Sequence, residues 1–209
     1  MSQYTTLTTA DGDLDPQFGL EGRVSVLIPG AKSTIAQRIV VGPDGNLYVS
    51  SSSGILRYHG LTAQPLPAPG QSGAFFAAAD NGPITFGPDG DLFVTSQCRN
   101  VLRYDGTTGA YVSTFITAEQ VPLPFDQCIG GMAFGRDRNM YVIGYYSTVY
   151  RYDGETGAFI NSYGSGLRGT LGLTFTPFPT SKDECMEDGW MAFEFKNQGQ
   201  CIKFVNTGE

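Results

Sequence analysis

An all-β fold built from a repeated antiparallel unit is predicted by three observations in this 209-residue sequence. A turn mark recurs. Val41-Gly42-Pro43-Asp44-Gly45, Phe86-Gly87-Pro88-Asp89-Gly90 and Phe134-Gly135-Arg136-Asp137-Arg138 set their aspartates 45 and then 48 residues apart. A strand-and-turn mark follows each in the same order, as Leu56-Arg57-Tyr58-His59-Gly60, Leu102-Arg103-Tyr104-Asp105-Gly106 and Tyr150-Arg151-Tyr152-Asp153-Gly154. The segments between are short apolar and aromatic runs bounded by Gly, Pro and Asp, the pattern of strands joined by tight turns. A four-strand meander repeated every 40 to 50 residues or so is the sequence signature of a propeller blade. The expected fold is therefore a β-propeller of four-stranded antiparallel blades.

Residues 1–21 are expected to form an N-terminal extension, and Arg23 to Ile28 an alternating strand where a preceding blade's outer strand belongs. The first blade is expected near residues 37–80. Its outer strand falls on Leu61 to Gly70, where Pro65, Pro67 and Pro69 confine it to a sheet edge, because proline cannot donate to a ladder. Gly73 to Ala79 then returns the chain to the next inner strand. The second blade, near 81–128, is the most complete copy, with strands at Ile84 to Phe86, Leu92 to Val94, Val101 to Tyr104 and Tyr111 to Phe115. The third lies near 129–168, and Phe76 and Phe125 are expected to plug between blades. The fourth is assembled from 169–205. Gly169 to Phe175 supplies its inner strand, Trp190 to Phe195 and Gln200 to Val205 form a hairpin around Asn197-Gln198-Gly199, and residues 22–28 supply the outer strand. The result is one domain over 22–205 with about four blades, closed by the N-terminal strand, and a tail at 206–209. Closure removes sheet edges that invite aggregation. The alternatives are an open arc that two copies complete to an eight-bladed ring, and a piece of a longer parent chain.

Composition excludes several partners. A net charge of −7 and a pI near 4.6 leave no basic stripe for phosphates, so nucleic acid is not an expected partner. No apolar run approaches the length of a membrane span, so membrane insertion is not expected. The 28 glycines and 12 prolines are spread over periodic turns and read as turn chemistry. The even count of 4 cysteines in a Gly- and Thr-rich β chain points to an extracellular location, although Met1 to Ala10 lacks the basic and apolar regions of a signal peptide.

The repeat marks resemble known families. Residues 11 to 58, from Leu14-Asp15-Pro16-Gln17-Phe18-Gly19 to Gly42-Pro43-Asp44-Gly45-Asn46-Leu47-Tyr48-Val49, are similar to the delta-sixty repeat of bacterial propeller-like proteins. Later copies look more like NHL-type and streptogramin-lyase-like repeats, in which a GPDGNLYV strand leads to an I-x-RYD strand and a TGAF-type turn. The tail from Cys185 to Val205 is similar to one found on secreted bacterial proteins, where it caps the C terminus. The lyase resemblance implies histidine and glutamate at the ring's mouth, and nothing in this sequence corresponds to those histidines. The one histidine, His59, stands in the slot held by Asp105 and Asp153 and is expected to be a turn residue.

No catalytic motif is present, and the function expected is non-catalytic binding or scaffolding. In a propeller the connections between second and third strands share one end of the ring with the approaches to the inner strands. That end would gather Asp80, Asn81, Gln97, Arg99, Asp126, Gln127, Tyr145, Tyr146 and Arg168, side chains suited to a protein or glycan ligand. A metal-dependent lactonase- or lyase-type enzyme and a self-pairing structural segment are the competing readings, which leaves the chain a monomer or a self-paired dimer. Asp11, Asp13 and Asp15 have the spacing with which calcium loops begin. Pro16 and Gly22 stand where such a loop needs a glycine and an acidic ligand, so a solvated turn is the simpler reading and no cofactor is expected. The same end places Cys98 beside Cys128 as a clamp between neighbouring blades, leaving Cys185 with Cys201 to staple the C-terminal hairpin. Without a C-x-x-C pair, zinc is the weaker alternative. Arg57, Arg103 and Arg151 are expected to pair with the turn aspartates Asp44, Asp89 and Asp137.

Overall fold

The computed structural model describes residues 4–6, 23–25, 36–79, 82–121, 128–144, 148–164, 173, 179, 181–187, 189–192 and 195–207. Within them, three four-stranded antiparallel sheets follow one another along the chain, each a simple meander. Before them, β1 (Tyr4–Thr6) and β2 (Arg23–Ser25) pair antiparallel in a sheet of their own. The first blade is β3 (Ala36–Val41), β4 (Leu47–Ser51), β5 (Gly54–Tyr58) and β6 (Phe75–Ala77). The second is β7 (Ile84–Phe86), β8 (Leu92–Ser96), β9 (Asn100–Tyr104) and β10 (Tyr111–Ile116). The third is β11 (Ile129–Phe134), β12 (Met140–Gly144), β13 (Val149–Tyr152) and β14 (Phe159–Tyr163). Two short helices end the chain, α1 (Gly189–Ala192) and α2 (Gln198–Thr207).

The blades pack because each strand alternates its side chains between two faces, and both faces of the middle strands are apolar. Tyr48, Ile55 and Phe76 of blade one meet Ile84, Leu92, Val94 and Tyr104 of blade two in one cluster. One step on, Phe93, Val101, Phe115 and Ile116 of blade two meet Met132, Phe134, Met140, Val142, Tyr150 and Tyr152 of blade three. The aromatic contacts repeat as well. Tyr48 sits edge-on to Phe86 at 4.8 Å, and Phe93 lies 5.0 Å from Phe134. Phe76, 1% exposed and edge-on to Tyr48 at 5.1 Å, plugs the first junction as expected. Phe125 lies outside the described residues. Burying each such ring contributes roughly 2 to 3 kcal/mol, so the stack is held mainly by blade-to-blade burial.

The inner strands β3, β7 and β11 are spatial neighbours. Arg38 on β3 also donates from Nη2 to the carbonyl of Gly130 on β11 at 3.4 Å, so blade one reaches blade three across 92 residues of chain. The sheets thus curve around a shared axis in a propeller-like way, while ladder pairing among the described residues closes no ring.

Three expectations are corrected. The C-terminal hairpin is helical. Asn197, read as part of a turn, accepts the backbone N–H of Gln200 on Oδ1 at 2.9 Å and caps α2. The Phe195 and Phe204 rings then meet at a tilt, 5.4 Å apart, and no described residue after Tyr163 belongs to a strand. The strand at Arg23 pairs with Tyr4–Thr6, and among the described residues it joins no other strand. The inner strand expected at Gly169 to Phe175 falls almost wholly outside the described residues. Finally, the outer strand of blade one is Phe75–Ala77, and the proline segment contributes a single bridge from Pro65 to Tyr58.

Candidate functional site

At one end of the stack, the β8–β9 turn carries Gln97, Cys98 and Arg99. Gln97 and Cys98 both adopt left-handed backbone, with φ of 47° and 67°, a region that costs a side-chain-bearing residue about 1 to 2 kcal/mol. Contacts to neighbouring elements hold the turn. Cys98 is bonded to Cys128, with Cα atoms 4.4 Å apart, as the sequence suggested. The carbonyl of Cys98 accepts the N–H of Ile129 at 2.8 Å, and Arg99 donates from Nη2 to the carbonyl of Val121 at 2.8 Å. The chain leaving β10 is pinned to the same place. Asn100 accepts the N–H of Ala118 at 2.9 Å, and the Tyr152 hydroxyl donates to the carbonyl of Gln120 at 3.1 Å. The turn projects an exposed Gln97 from a rigid base. Of the nine residues expected at this end, Gln97 and Arg99 are described and lie together. Asp80, Asn81, Asp126, Gln127, Tyr145, Tyr146 and Arg168 lie outside the described residues, as do Asp11, Asp13 and Asp15.

The opposite end is built from the repeated turns. Each turn aspartate accepts the N–H two residues on, at 3.1 Å for Asp44 and 3.2 Å for Asp89 and Asp137. The residue two after it reaches the next turn: Asn46, Asp91 and Asn139 accept the N–H of Gly60, Gly106 and Gly154 at 3.2, 3.3 and 3.2 Å. These glycines are obligatory on steric grounds. A Cβ on Gly106 would lie 1.8 Å from the carbonyl oxygen of Gly90. In blades one and three an Asn-and-Tyr set serves the aspartate, Tyr48 and Tyr141 each donating to it at 3.0 Å. Blade two has Asp91 and Phe93 in those places, and there Arg103 donates one bond to Asp89 and one to Asp91, at 2.6 Å each.

Two of the three expected ion pairs form, Arg103 with Asp89 and Arg151 with Asp137. Arg57 goes elsewhere. It donates to the carbonyls of Leu66 and Pro67 at 3.1 Å each and lies 4.5 Å over the Phe76 ring, because the proline segment leaves those carbonyls without ladder partners. Partial burial opposes ionisation of Asp137, but hydrogen bonds from Asn139 and Tyr141 with the Arg151 charge outweigh it and hold its pKa below the ordinary carboxylate value. Asp44 behaves alike: burial is outweighed by Asn46 and Tyr48, with the charge of Arg57 adding at longer range. Burial first, then the bond it donates to Asp137, pushes the Tyr141 hydroxyl up to about 12. His59 is the turn residue expected. Its Nδ1 accepts the N–H groups of Leu61 and Thr62 at 3.2 Å, as Asp105 accepts those of Thr107 and Thr108.

Between the turns of blades two and three lies an open cleft of about 370 Å³ lined by Asp89, Arg103, Asp137, Arg138, Asp153 and Glu155, among others. Sequence reasoning missed it, yet a signal was present. The third copy breaks its own repeat there, with Arg138 in the slot of Gly45 and Gly90 and Glu155 in that of Thr107. Arg138 keeps the left-handed backbone of that slot at φ 61°. Among the described residues, no group of three or more His, Cys, Asp or Glu side chains is placed to hold a metal ion. All four cysteines are in disulfides, which leaves no thiol nucleophile. No helix among the described residues is long and apolar enough to cross a membrane.

No protein-family profile and no curated protein matches this sequence. Solved structures resemble it weakly and diffusely. A protein of unknown function from Bacteroides caccae is 15% identical, over 76% of this chain and 53% of its own, with a TM-score of 0.48. The calcium-binding protein regucalcin from Agrobacterium tumefaciens is 18% identical, over 66% and 48%, with a TM-score of 0.46. The WD40 repeats of RRP9 are 14% identical, over 69% and 45%, with a TM-score of 0.44. The chain thus spans about half the length of these proteins.

Proposed function

We propose that this chain is an extracellular, non-catalytic binding module of the NHL and streptogramin-lyase-like repeat type, presenting its disulfide-clamped end to a protein or glycan ligand. The observation that carries the reading is the β8–β9 turn. Two consecutive non-glycine residues are held there in left-handed backbone by a disulfide and by bonds from two neighbouring elements. Strain of this kind persists only where surrounding structure enforces it, and it collects at ligand-facing sites. Rigid turns also lose little entropy on binding. A glycan array and a peptide-display selection on the oxidised protein test the reading. A ligand whose binding is lost in Gln97→Ala and kept in Glu155→Ala supports it. A ligand that responds only to Glu155→Ala would move the site to the opposite cleft.

A further inference from the structure

The two disulfides sit in opposite environments. Cys185 and Cys201 are both 0% exposed, in the C-terminal helical segment, with Cα atoms 5.7 Å apart. Cys98 is exposed and Cys128 half-buried, at the end of the stack where Gln97 projects. Exchange requires a thiolate to reach a disulfide sulfur, so the exposed bond is open to attack and the buried one is shielded.

We propose that Cys98–Cys128 is a reducible latch on the β8–β9 turn, while Cys185–Cys201 is a permanent staple. The step consumes two equivalents of a small thiol. An external thiolate attacks Sγ of Cys98, the S–S bond breaks, and the Cys128 thiolate leaves and takes up a proton. A second thiol resolves the mixed disulfide at Cys98, leaving two cysteine thiols and one oxidised thiol pair. The fold survives the cut, because the blade two to blade three junction is held by the buried cluster from Phe93 to Tyr152 and not by this bond. The local conformation changes. Without the bond, Gln97 and Cys98 are free to leave left-handed backbone, and the approach to β11 loses its covalent tie to blade two. The hydrogen bonds from Ile129 to Cys98 and from Arg99 to Val121 stay in place there. A functional consequence, switching of ligand affinity at this end, rests on the binding reading above; the latch itself does not.

The folded protein is exposed to graded glutathione redox buffers, quenched with an alkylating reagent and mapped by peptide mass spectrometry. Cys98 and Cys128 are expected to label at least tenfold faster than Cys185 and Cys201. Amide exchange should then accelerate at least tenfold in 96–100, 117–121 and 128–129, with β3 to β5 unchanged. Equal labelling rates, exchange rising across all three blades, or no change in exchange overturns the proposal. The Cys98→Ser/Cys128→Ser protein should show the same local exchange pattern without reductant. If that variant does not fold, the bond is a staple and the proposal fails. If the latch opens as described and a ligand binds equally to both forms, the binding reading fails and the latch stands.

Discussion

Asp44, Asp105, Asp137 and Asp153 are each held below the ordinary aspartate pKa, Asp105 and Asp153 by hydrogen bonds alone. For Asp153 these come from the Thr156 hydroxyl and N–H, and for Asp105 from the Thr108 N–H and hydroxyl. In the unfolded chain these carboxylates bind protons first, near pH 3.9. Their contribution is therefore complete above about pH 5 and is lost as pH falls through the lower folded values. Urea midpoints measured from pH 6 to pH 2 should be flat at first and then drop below about pH 4. Two substitutions test the turn itself. Gly106→Ala forces a Cβ against the Gly90 carbonyl and should cost about 3 kcal/mol or more. Arg138→Gly relieves the left-handed strain and should add about 1 kcal/mol. Chemical denaturation reads both, and a loss in Arg138→Gly would mean that the guanidinium makes a stabilising contact in the cleft.

At the scale of the element, legibility tracked how local the signal was. The turn marks specify hairpins within a few residues, and all three blades appear where those marks put them. His59 was legible for the same reason, since a side chain that accepts the next N–H groups does in that slot what aspartate does. The outer strand of blade one was not legible. The proline segment sits at the right spacing, but its carbonyls serve Arg57, and Phe75–Ala77 pairs with β5 instead. Truncating Phe76 to alanine should cost about 3 to 5 kcal/mol, as for a ring lost from a core, and would measure that junction directly. The C-terminal segment misled through composition. Ile202 and Val205 are β-branched, yet Cys201, Phe204 and Val205 also recur at helical spacing, and the Asn197 cap decides between the two. Both disulfide pairings were legible, one from blade geometry and the other by elimination. The cleft at Arg138 needed the copies to be compared position by position.

For the whole molecule, stability is distributed along the stack of blades and held at two places by covalent bonds. The 16-residue separation of Cys185 and Cys201 implies about 3 kcal/mol of stabilisation on the chain-entropy estimate. Cys185→Ser/Cys201→Ser should lower global stability by that amount, read as a shift in the urea midpoint, without altering exchange at the β8–β9 turn. The bond from Arg38 to Gly130 has a consequence for how the molecule is made. Translation runs at about 5 to 20 residues per second. Gly130 is therefore added some 5 to 18 seconds after Arg38, so this tie between the first and third blades can form only once the third inner strand has been synthesised.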